Sequence, residues 1–425
     1  MGTVHVIGAG LAGLAAAEAM LGSGTTVVVH EAARQAGGRC RSYHDVALDM
    51  RIDNGNHLLL SGNRTALEYV ARIGGGGALE IANECAFPFV DLGSGERWTL
   101  RPNAGRVPRW IFDPARRVPG SRASDYLSPL RLFLAGPNRR LGQVMPTTGP
   151  IYERLWHPLL LAALNTDPAE ASARLAATLM RETLGMGGDA CRPVIASGGL
   201  GAALVDPAVA LLERRGMPVR FGSSLRGLDV EGGRVAGLRL TGEDIRLGPD
   251  DRVVLAVPAW VARSLLPDLA APDEHRAIAN AHFRIAPPPG MPTIVGLVRS
   301  LSEWIFAFPD RLSVTISGAD RLNDRPRETL AADIWREVAA VAGLSAEPMP
   351  PWQIVREKRA TFRATPEQVA KRPKTRTPLD NLFLAGDWTD TGLPATIEGA
   401  IRSGRKAAEL ALRSGGRISR NRMAA

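Results

Sequence analysis

Three glycines near the start of the chain have the spacing of a nucleotide-binding turn. They lie between a short apolar run, which predicts a buried strand, and an alanine-rich segment, which predicts a helix. Glycines in this position permit a tight turn and let the backbone approach a pyrophosphate at the helix N-terminus. The residues predicted to contact that pyrophosphate are Gly8, Gly10, Leu11, Ala12 and Gly13.

An acidic residue follows the next apolar run. Glu31 comes directly after residues 26–30, whose β-branched side chains predict a second strand. A carboxylate at this position accepts hydrogen bonds from ribose hydroxyls and repels a 2′-phosphate, and we expect Ala32 to contact the same part of the ligand. The strand–turn–helix–strand order therefore predicts a βαβ unit that binds a dinucleotide.

A second glycine signal lies near the other end of the chain. Gly386 and Asp387 follow a predicted strand over residues 382–385, and a helix is predicted to begin at Ile397. A ligand contacted by both ends of the chain is long, which favours FAD. We expect Asp387 to accept from the ribityl hydroxyls. The helix N-terminus at Ile397 is expected to stabilise negative charge on the reduced flavin ring.

Two further segments supply candidate contacts. Gly38 and Arg39 follow the ribose-binding acid, so this loop is expected to lie along the pyrophosphate with Arg39 as counter-charge. Asn54, Gly55 and His57 lie in a polar turn that could bring backbone and imidazole beside the flavin. We interpret His57 as a contact residue and a weak acid candidate. The pattern singles out no catalytic residue and no metal ligands.

The totals describe an ordinary globular protein. The chain has 425 residues, 45% apolar and 22% charged, which suits two domains. No apolar run reaches the roughly 18 residues of a membrane span, and no signal-peptide layout is present, so a cytoplasmic location is expected. Three scattered cysteines match no zinc spacing.

Positive charge is the one unusual total. Basic residues outnumber acidic ones by 52 to 43, a net charge of +9, and residues 101–122 form a basic, proline-interrupted stretch. This excess is consistent with attraction to an anionic surface, such as the inner face of the cell membrane, or to a phosphorylated partner, and equally with a solvated arginine-rich surface. No nucleic-acid-binding module is recognisable, so nucleic acid is not an expected partner.

These elements predict an α/β architecture with two domains. The Rossmann-type FAD-binding domain is discontinuous, and the substrate domain combines a mixed sheet with helices, including a helix over residues 168–184. The predicted FAD-binding segments are residues 1–72, 191–260 and 375–425, the last including a C-terminal tail. The predicted substrate-domain segments are residues 73–190 and 261–374.

The motifs together resemble the flavin amine oxidase and phytoene desaturase superfamily. Within it the chain is most similar to the hydroxysqualene dehydroxylases of bacterial hopanoid pathways. The tract over residues 387–398 carries the most specific likeness, supported by residues 53–60, 155–159, 163–166 and 358–362. Asn56 departs from this pattern, where Gln would be expected. By analogy with the family, the backbone of Leu225 is expected to pair with the adenine edge.

The resemblance implies that reduced FAD converts hydroxysqualene, a long-chain isoprenoid, to squalene with loss of water. The leaving hydroxyl is allylic, so its departure leaves a delocalised cation that a hydride can capture. The resemblance also implies an apolar tunnel walled by residues 151–184 and 293–317, a location peripheral to the membrane, and upstream enzymes of the squalene pathway as possible partners.

Three alternatives share the scaffold. Isoprenoid desaturation would use FAD as the oxidant. Amine oxidation commonly uses a lysine beside the flavin, and residues 282–298, the corresponding stretch, contain none. Prenyl-binding chaperones of the GDP-dissociation-inhibitor type bind no flavin, which the intact glycine and acid signals disfavour.

Overall fold

The structure, a computed structural model, describes residues 2–422, and for residues 415–422 the backbone alone; residues 423–425 of the predicted tail lie outside this range. The strands within it are, in chain order, β1 (Thr3–Ile7), β2 (Thr26–Glu31), β3 (Ser42–Asp45), β4 (Met50–Asp53), β5 (Leu58–Leu60), β6 (Glu80–Ile81), β7 (Phe87–Asp91), β8 (Arg97–Leu100), β9 (Pro193–Ile195), β10 (Val219–Phe221), β11 (Leu225–Glu231), β12 (Arg234–Leu240), β13 (Glu243–Arg246), β14 (Arg252–Leu255), β15 (His275–Phe283), β16 (Ile294–Val298), β17 (Trp304–Phe308), β18 (Arg311–Ile316), β19 (Trp352–Phe362) and β20 (Leu382–Leu384).

The α-helices of the same range are α1 (Leu11–Ala19), α2 (Arg64–Ile73), α3 (His157–Leu164), α4 (Ala173–Glu182), α5 (Asp206–Arg214), α6 (Ala259–Leu265), α7 (Arg327–Ala342), α8 (Pro366–Ala370) and α9 (Ile397–Arg422). Short π-helical turns, Tyr152–Trp156 and Gly201–Val205, lead into α3 and α5. Within the described residues, no helix is both long and apolar enough to cross a bilayer.

A five-stranded parallel sheet carries the glycine signals. Its order is β10-β2-β1-β14-β20, and every neighbouring pair is parallel. Val4, Val6, Val27 and Val29 are fully buried, because a parallel sheet is covered on both faces. Helix α9 packs closely on α1, where a Cβ on Gly404 would lie 2.0 Å from the Ala12 carbonyl oxygen.

A second, seven-stranded sheet forms the other large layer. Its order is β19-β15-β18-β17-β16-β7-β8, with antiparallel pairs throughout except for the parallel pair β16–β7. One face packs against α7, whose Leu330, Ile334, Trp335 and Val338 are buried. The mixed sheet with helices agrees with the predicted fold class. The predicted segment boundaries stay predictions.

The prediction of a helix over residues 168–184 places the first residue of this helix too early. Helix α4 begins at Ala173, because the Ser172 side chain caps it by accepting a hydrogen bond from the Leu175 N–H at 3.4 Å. Asp167 instead forms a turn, in which its Oδ1 accepts from the Ala169 N–H at 2.9 Å. The aspartate before Pro168 therefore organises a loop rather than a helix start.

Asn165 ends α3 and joins it to the seven-stranded sheet. Its φ of +47° is left-handed, and its side chain accepts from the Gly318 N–H at 2.7 Å and donates to Thr361 Oγ1 at 3.0 Å. We expect Asn165→Ala to lower the free energy of unfolding by about 3 kcal/mol, since it loses hydrogen bonds and strains the backbone. Asn165→Gly keeps the conformation and should cost about 1 kcal/mol less. Urea unfolding measures both, and equal losses would contradict this account.

Candidate cofactor-binding site

The turn between β1 and α1 depends on glycine for two different reasons. Gly8 has φ +103°, a left-handed conformation, and a Cβ there would lie 2.6 Å from the Ala256 carbonyl oxygen. A Cβ on Gly13 would lie 1.8 Å from the Gly8 carbonyl oxygen, so α1 approaches the strand too closely for any other residue. At Gly10, by contrast, a Cβ would meet no atom within 4 Å.

The open space at Gly10 fits a pyrophosphate. Gly10 is the N-cap of α1, and no side chain of the described residues caps this helix. The first-turn N–H groups, including those of Leu11 and Ala12, therefore remain for a ligand, and the positive end of the helix dipole favours an anion. The turn consequently has the shape and the donors that the diphosphate of a dinucleotide requires.

Glu31 lies beside this turn. The Ala9 N–H donates to its Oε2 at 2.7 Å, and the Ala33 N–H donates to its Oε1 at 2.8 Å. Each carboxylate oxygen keeps capacity to accept another hydrogen bond, as contact with ribose hydroxyls requires. Ala32 next to it is exposed.

The Gly37–Gly38 loop and β11 approach the same place. The Gly37 N–H donates to the Ala9 carbonyl at 2.8 Å, and a Cβ on Gly38 would lie 3.5 Å from the Gly10 Cα. The Ser223 N–H donates to the Glu31 carbonyl at 2.9 Å, which brings the start of β11, and with it the buried Leu225, toward the predicted ribose contact. The structure thus brings together the residues predicted to hold the adenosine and diphosphate half.

An ion pair joins the C-terminal glycine segment, through Asp387, to the N-terminal loop that contains Arg39. Arg39 Nη2 lies 2.6 Å from Asp387 Oδ1, and the Asp387 side chain is 7% exposed while that of Arg39 is 37% exposed. Gly386 has φ +145°, and its N–H donates to Ser403 Oγ at 3.0 Å. The two glycine-rich segments, far apart in sequence, are therefore adjacent in space.

Strand β19 forms the opposite side of this junction. Arg39 Nη1 donates to the Ala360 carbonyl oxygen, and Asn54 Nδ2 donates to Glu357 Oε2 at 3.3 Å. Neither Glu357 nor Ala360 was singled out from the sequence as a site residue, although Ala360 lies in the stretch 358–362 that carries part of the family likeness. The seven-stranded sheet therefore contacts the cofactor-binding segments directly.

His57 lies in the same region as a neutral ring. Burial lowers its pKa to about 4, with the positive charge of Arg39 acting in the same direction. Gly55 is close to the seven-stranded sheet, since a Cβ there would lie 2.9 Å from Asn280 Nδ2. Asn56, the departure noted above, is tied to that sheet as well, through a bond from its Nδ2 to Thr315 Oγ1 at 3.2 Å. A neutral imidazole suits a contact residue and is a poor proton donor at neutral pH.

The start of α9, predicted to stabilise the reduced flavin, also stabilises a neighbouring helix. Ile397 is buried at its first turn, and Thr396 Oγ1 accepts from the Gly399 N–H at 3.0 Å. The Glu398 carboxylate accepts from the N–H groups of Thr65 and Ala66, at the start of α2. The acid in this motif therefore stabilises the N-terminus of a neighbouring helix.

Arg372 is a residue of the site that sequence reasoning missed. It is 6% exposed, and its guanidinium donates to the carbonyl oxygens of Leu393, at 2.7 Å, and of Asp387, at 3.0 Å. It therefore holds the loop that follows β20. In the sequence it stands among Lys371, Lys374 and Arg376, where it is indistinguishable from a surface cation.

The comparisons with known proteins agree with this geometry. A model of flavin-containing amine oxidoreductases matches residues 11–412, nearly the whole chain. The chain belongs to this family. FAD is accordingly its cofactor, as the paired glycine signals predict. The protein is therefore an FAD-dependent oxidoreductase.

Relatives that match over nearly their full length share one name within this family. The chain is 57% identical to the hydroxysqualene dehydroxylase of Rhodopseudomonas palustris, over 97% of this chain and 99% of the relative. It is 53% identical to the hydroxysqualene dehydroxylase of Sinorhizobium fredii, over 96% and 98%, and 47% identical to that of Zymomonas mobilis, over 97% and 99%. The resemblance inferred from the motifs is confirmed.

Solved structures support the fold of this flavin-containing amine oxidoreductase. Cyclohexylamine oxidase of Brevibacterium oxydans superposes with a TM-score of 0.70, covering 97% of this chain and 99% of that one, at 17% identity. A protein described as a protoporphyrinogen oxidase of Exiguobacterium gives 0.69, covering 97% and 99%, at 19% identity. At such identities the likeness establishes the fold alone.

Buried histidines should make the flavin-free protein sensitive to mild acid. Burial lowers the pKa of His30 and of His57 to about 4 and that of His282 to about 3. As the pH falls below 6.5, these histidines become protonated in the unfolded chain but stay neutral in the folded one. The free energy of unfolding therefore falls as pH decreases from 6.5 toward 4. Each such group contributes at most about 1.4 kcal/mol per pH unit.

Urea unfolding of the flavin-free protein at several pH values checks this dependence. His282→Asn should flatten the slope between pH 6.5 and 5. An identical slope in the wild type and in His282→Asn would show that His282 does not titrate as described.

Proposed function

We propose that this enzyme reduces hydroxysqualene to squalene with loss of water. The observation that carries the proposal is the near full-length identity of 47–57% to three proteins named hydroxysqualene dehydroxylase. Matches to desaturases of carotenoid synthesis are weaker, at 28% identity over 25% of this chain and 32% over 26%. Reductive removal of a hydroxyl is therefore preferred over desaturation.

The reaction balances as one hydride and one proton added to the substrate. The C–O bond of the allylic alcohol breaks, its oxygen leaves as water with that proton, and the carbon gains the hydride. Bound reduced FAD supplies the hydride. The residues that we propose to hold it are those of the β1–α1 turn, Glu31 with Leu225, and the Arg39–Asp387 pair.

The protein's own part is to bind, to orient and to exclude water. His57, with its pKa near 4, is neutral at pH 7 and is proposed as a contact residue rather than the proton donor. The substrate is a long hydrocarbon, so we propose that it lies among the apolar residues between α3 and the seven-stranded sheet. Leu155, Leu160 and Leu164, all buried, belong to that region.

The substrate and product dissolve in lipid, not in water. We propose that the enzyme works at the inner face of the cell membrane, as a peripheral protein, and that an upstream enzyme of squalene synthesis delivers its substrate. The net charge of +9 supports attraction to an anionic surface.

An anaerobic assay tests the reaction. Purified holoenzyme is photoreduced, hydroxysqualene is added in detergent, and both the flavin spectrum and the extracted hydrocarbon are recorded. Reoxidation of the flavin with an equal amount of squalene is expected. Flavin that stays reduced would overturn the proposal, and oxidised enzyme that instead consumes squalene or phytoene would establish a desaturase. Gly10→Asp, expected to lack flavin, is the matched control.

A further inference from the structure

Exposed apolar side chains concentrate in one short stretch. Ten large apolar side chains are exposed among the residues whose burial is described, and six of them lie between residues 107 and 134. They include Leu134, 91% exposed, and Phe112, 72% exposed. The full set is Val107, Phe112, Leu127, Leu130, Phe133 and Leu134, which we call the apolar face.

The regularity of the 3₁₀ helix Ala123–Leu134 shows that this exposure is organised. A 3₁₀ helix repeats every three residues, so positions three apart lie on one side. Leu127, Leu130 and Phe133 share the exposed side. The residues one position earlier, Tyr126, Pro129 and Leu132, share the buried side. A helix that merely packed badly would not separate its side chains in this way.

The stretch is anchored firmly to the body of the protein. The Tyr126 hydroxyl accepts from the Val118 N–H at 2.8 Å, and its ring meets Trp110 edge-on with 5.0 Å between ring centroids. Val118 and Leu132 are each 1% exposed. The apolar face is therefore held outward by a packed inner layer, and its exposure is a property of the folded state.

Positive charge is concentrated in the same stretch of the chain. Residues 101–140 contain nine arginines and two aspartates, a net charge of +7 out of +9 for the whole chain. Arg106, Arg109, Arg122 and Arg131 are exposed, and none of their guanidinium groups makes a hydrogen bond or ion pair with the described residues. These cations are therefore free to meet an external anion.

We propose that the apolar face and its surrounding arginines are the surface by which this enzyme docks on a lipid bilayer with anionic headgroups. The apolar side chains enter the boundary of the acyl chains, while the arginines contact headgroup phosphates. The proposal rests on the membrane association proposed above and names the residues responsible for it.

Charge complementarity favours a bilayer over a second copy of this chain. An isologous interface sets the same patch against itself, and arginines facing arginines would repel each other. A bilayer supplies both an apolar interior and a continuous negative surface. These are the two properties that the stretch presents together.

Flotation of the holoenzyme with vesicles tests the surface. Phosphatidylcholine vesicles containing phosphatidylglycerol are compared with phosphatidylcholine alone, at low and high salt. The wild type should float with the anionic vesicles and lose most of this binding at high salt. Binding should fall at least tenfold in two triple variants, Leu127→Ser/Leu130→Ser/Phe133→Ser and Arg106→Gln/Arg109→Gln/Arg131→Gln.

Matched controls change equally exposed residues elsewhere. They are Val46→Ser/Ile81→Ser/Val230→Ser and Arg214→Gln/Arg215→Gln/Arg246→Gln. These should float like the wild type, and all four variants should keep the wild-type flavin content and activity in detergent. A wild type that does not float, or controls that lose binding equally, would overturn the proposal. So would a wild type that dimerises in solution through this face, with Leu127→Ser/Leu130→Ser/Phe133→Ser monomeric.

The same samples separate this proposal from the proposed reaction. Flotation without squalene formation in detergent would overturn the reaction and leave the docking surface established. Squalene formation in detergent without flotation would overturn the docking surface and leave the reaction established.

Discussion

Gly10→Asp should leave the flavin-free protein as stable as the wild type and lower its affinity for FAD at least a hundredfold, about 2.7 kcal/mol. The reason is the open space at Gly10: a new side chain would meet no atom of the protein within 4 Å. It would occupy the position proposed for the pyrophosphate and oppose it with a negative charge. Gly10→Ala adds only a methyl group, so its loss should be about tenfold.

Flavin titration of the flavin-free proteins measures the affinities, and thermal unfolding shows that the fold is intact. Gly77→Asp is the matched control, because a Cβ at the exposed Gly77 also meets no atom within 4 Å. Gly13 would serve poorly, since any side chain there collides with the backbone of Gly8. Full affinity in Gly10→Asp would mean that the diphosphate binds elsewhere.

Arg39→Ala should cost about 2 kcal/mol of unfolding free energy and also weaken FAD binding. The substitution leaves the buried carboxylate of Asp387 without its partner and frees the carbonyl of Ala360. Arg39→Lys retains the charge, but a single nitrogen replaces the two guanidinium nitrogens that donate separately to Asp387 and to Ala360, so an intermediate loss is expected. Urea unfolding of the flavin-free variants gives the stabilities.

Two comparisons make this prediction specific. Arg51 and Asp206 form an ion pair at the same distance, 2.6 Å, with both side chains about half exposed. Arg51→Ala should therefore cost less than about 1 kcal/mol. In the Asp387→Asn background, Arg39→Ala should cost less than in the wild type. Strictly additive losses would contradict a direct coupling between Arg39 and Asp387.

The sequence predicted the β1–α1–β2 unit for a physical reason. Gly8 and Gly13 are required by the backbone itself, through a left-handed φ and a contact that admits no Cβ. Such constraints act over a few residues and are visible as a local pattern. The family likeness was read from short motifs spread along the whole chain. The full-length relatives confirm it.

The parts that the sequence did not predict depend on distant neighbours. Strands β15 and β19 are long and partly polar, so nothing in their own pattern distinguishes them, and they are defined by pairing with each other. Arg372 is buried only because a loop fifteen residues later folds over it. The helix over residues 168–184 was placed too early, because Ser172 caps its N-terminus while Asp167, before it, organises a turn.

The order of strands in the parallel sheet has a consequence for how the protein is made. Strand β14 pairs on one side with β1, which is synthesised well before it, and on the other with β20, which is synthesised well after it. Helix α9, later still, covers α1. On a ribosome adding roughly 5–20 residues per second, the β1–α1 unit therefore waits until β20 has been synthesised before its sheet is complete. Flavin insertion is consequently expected only after β20 has emerged, and a nascent chain stalled before β20 should carry none.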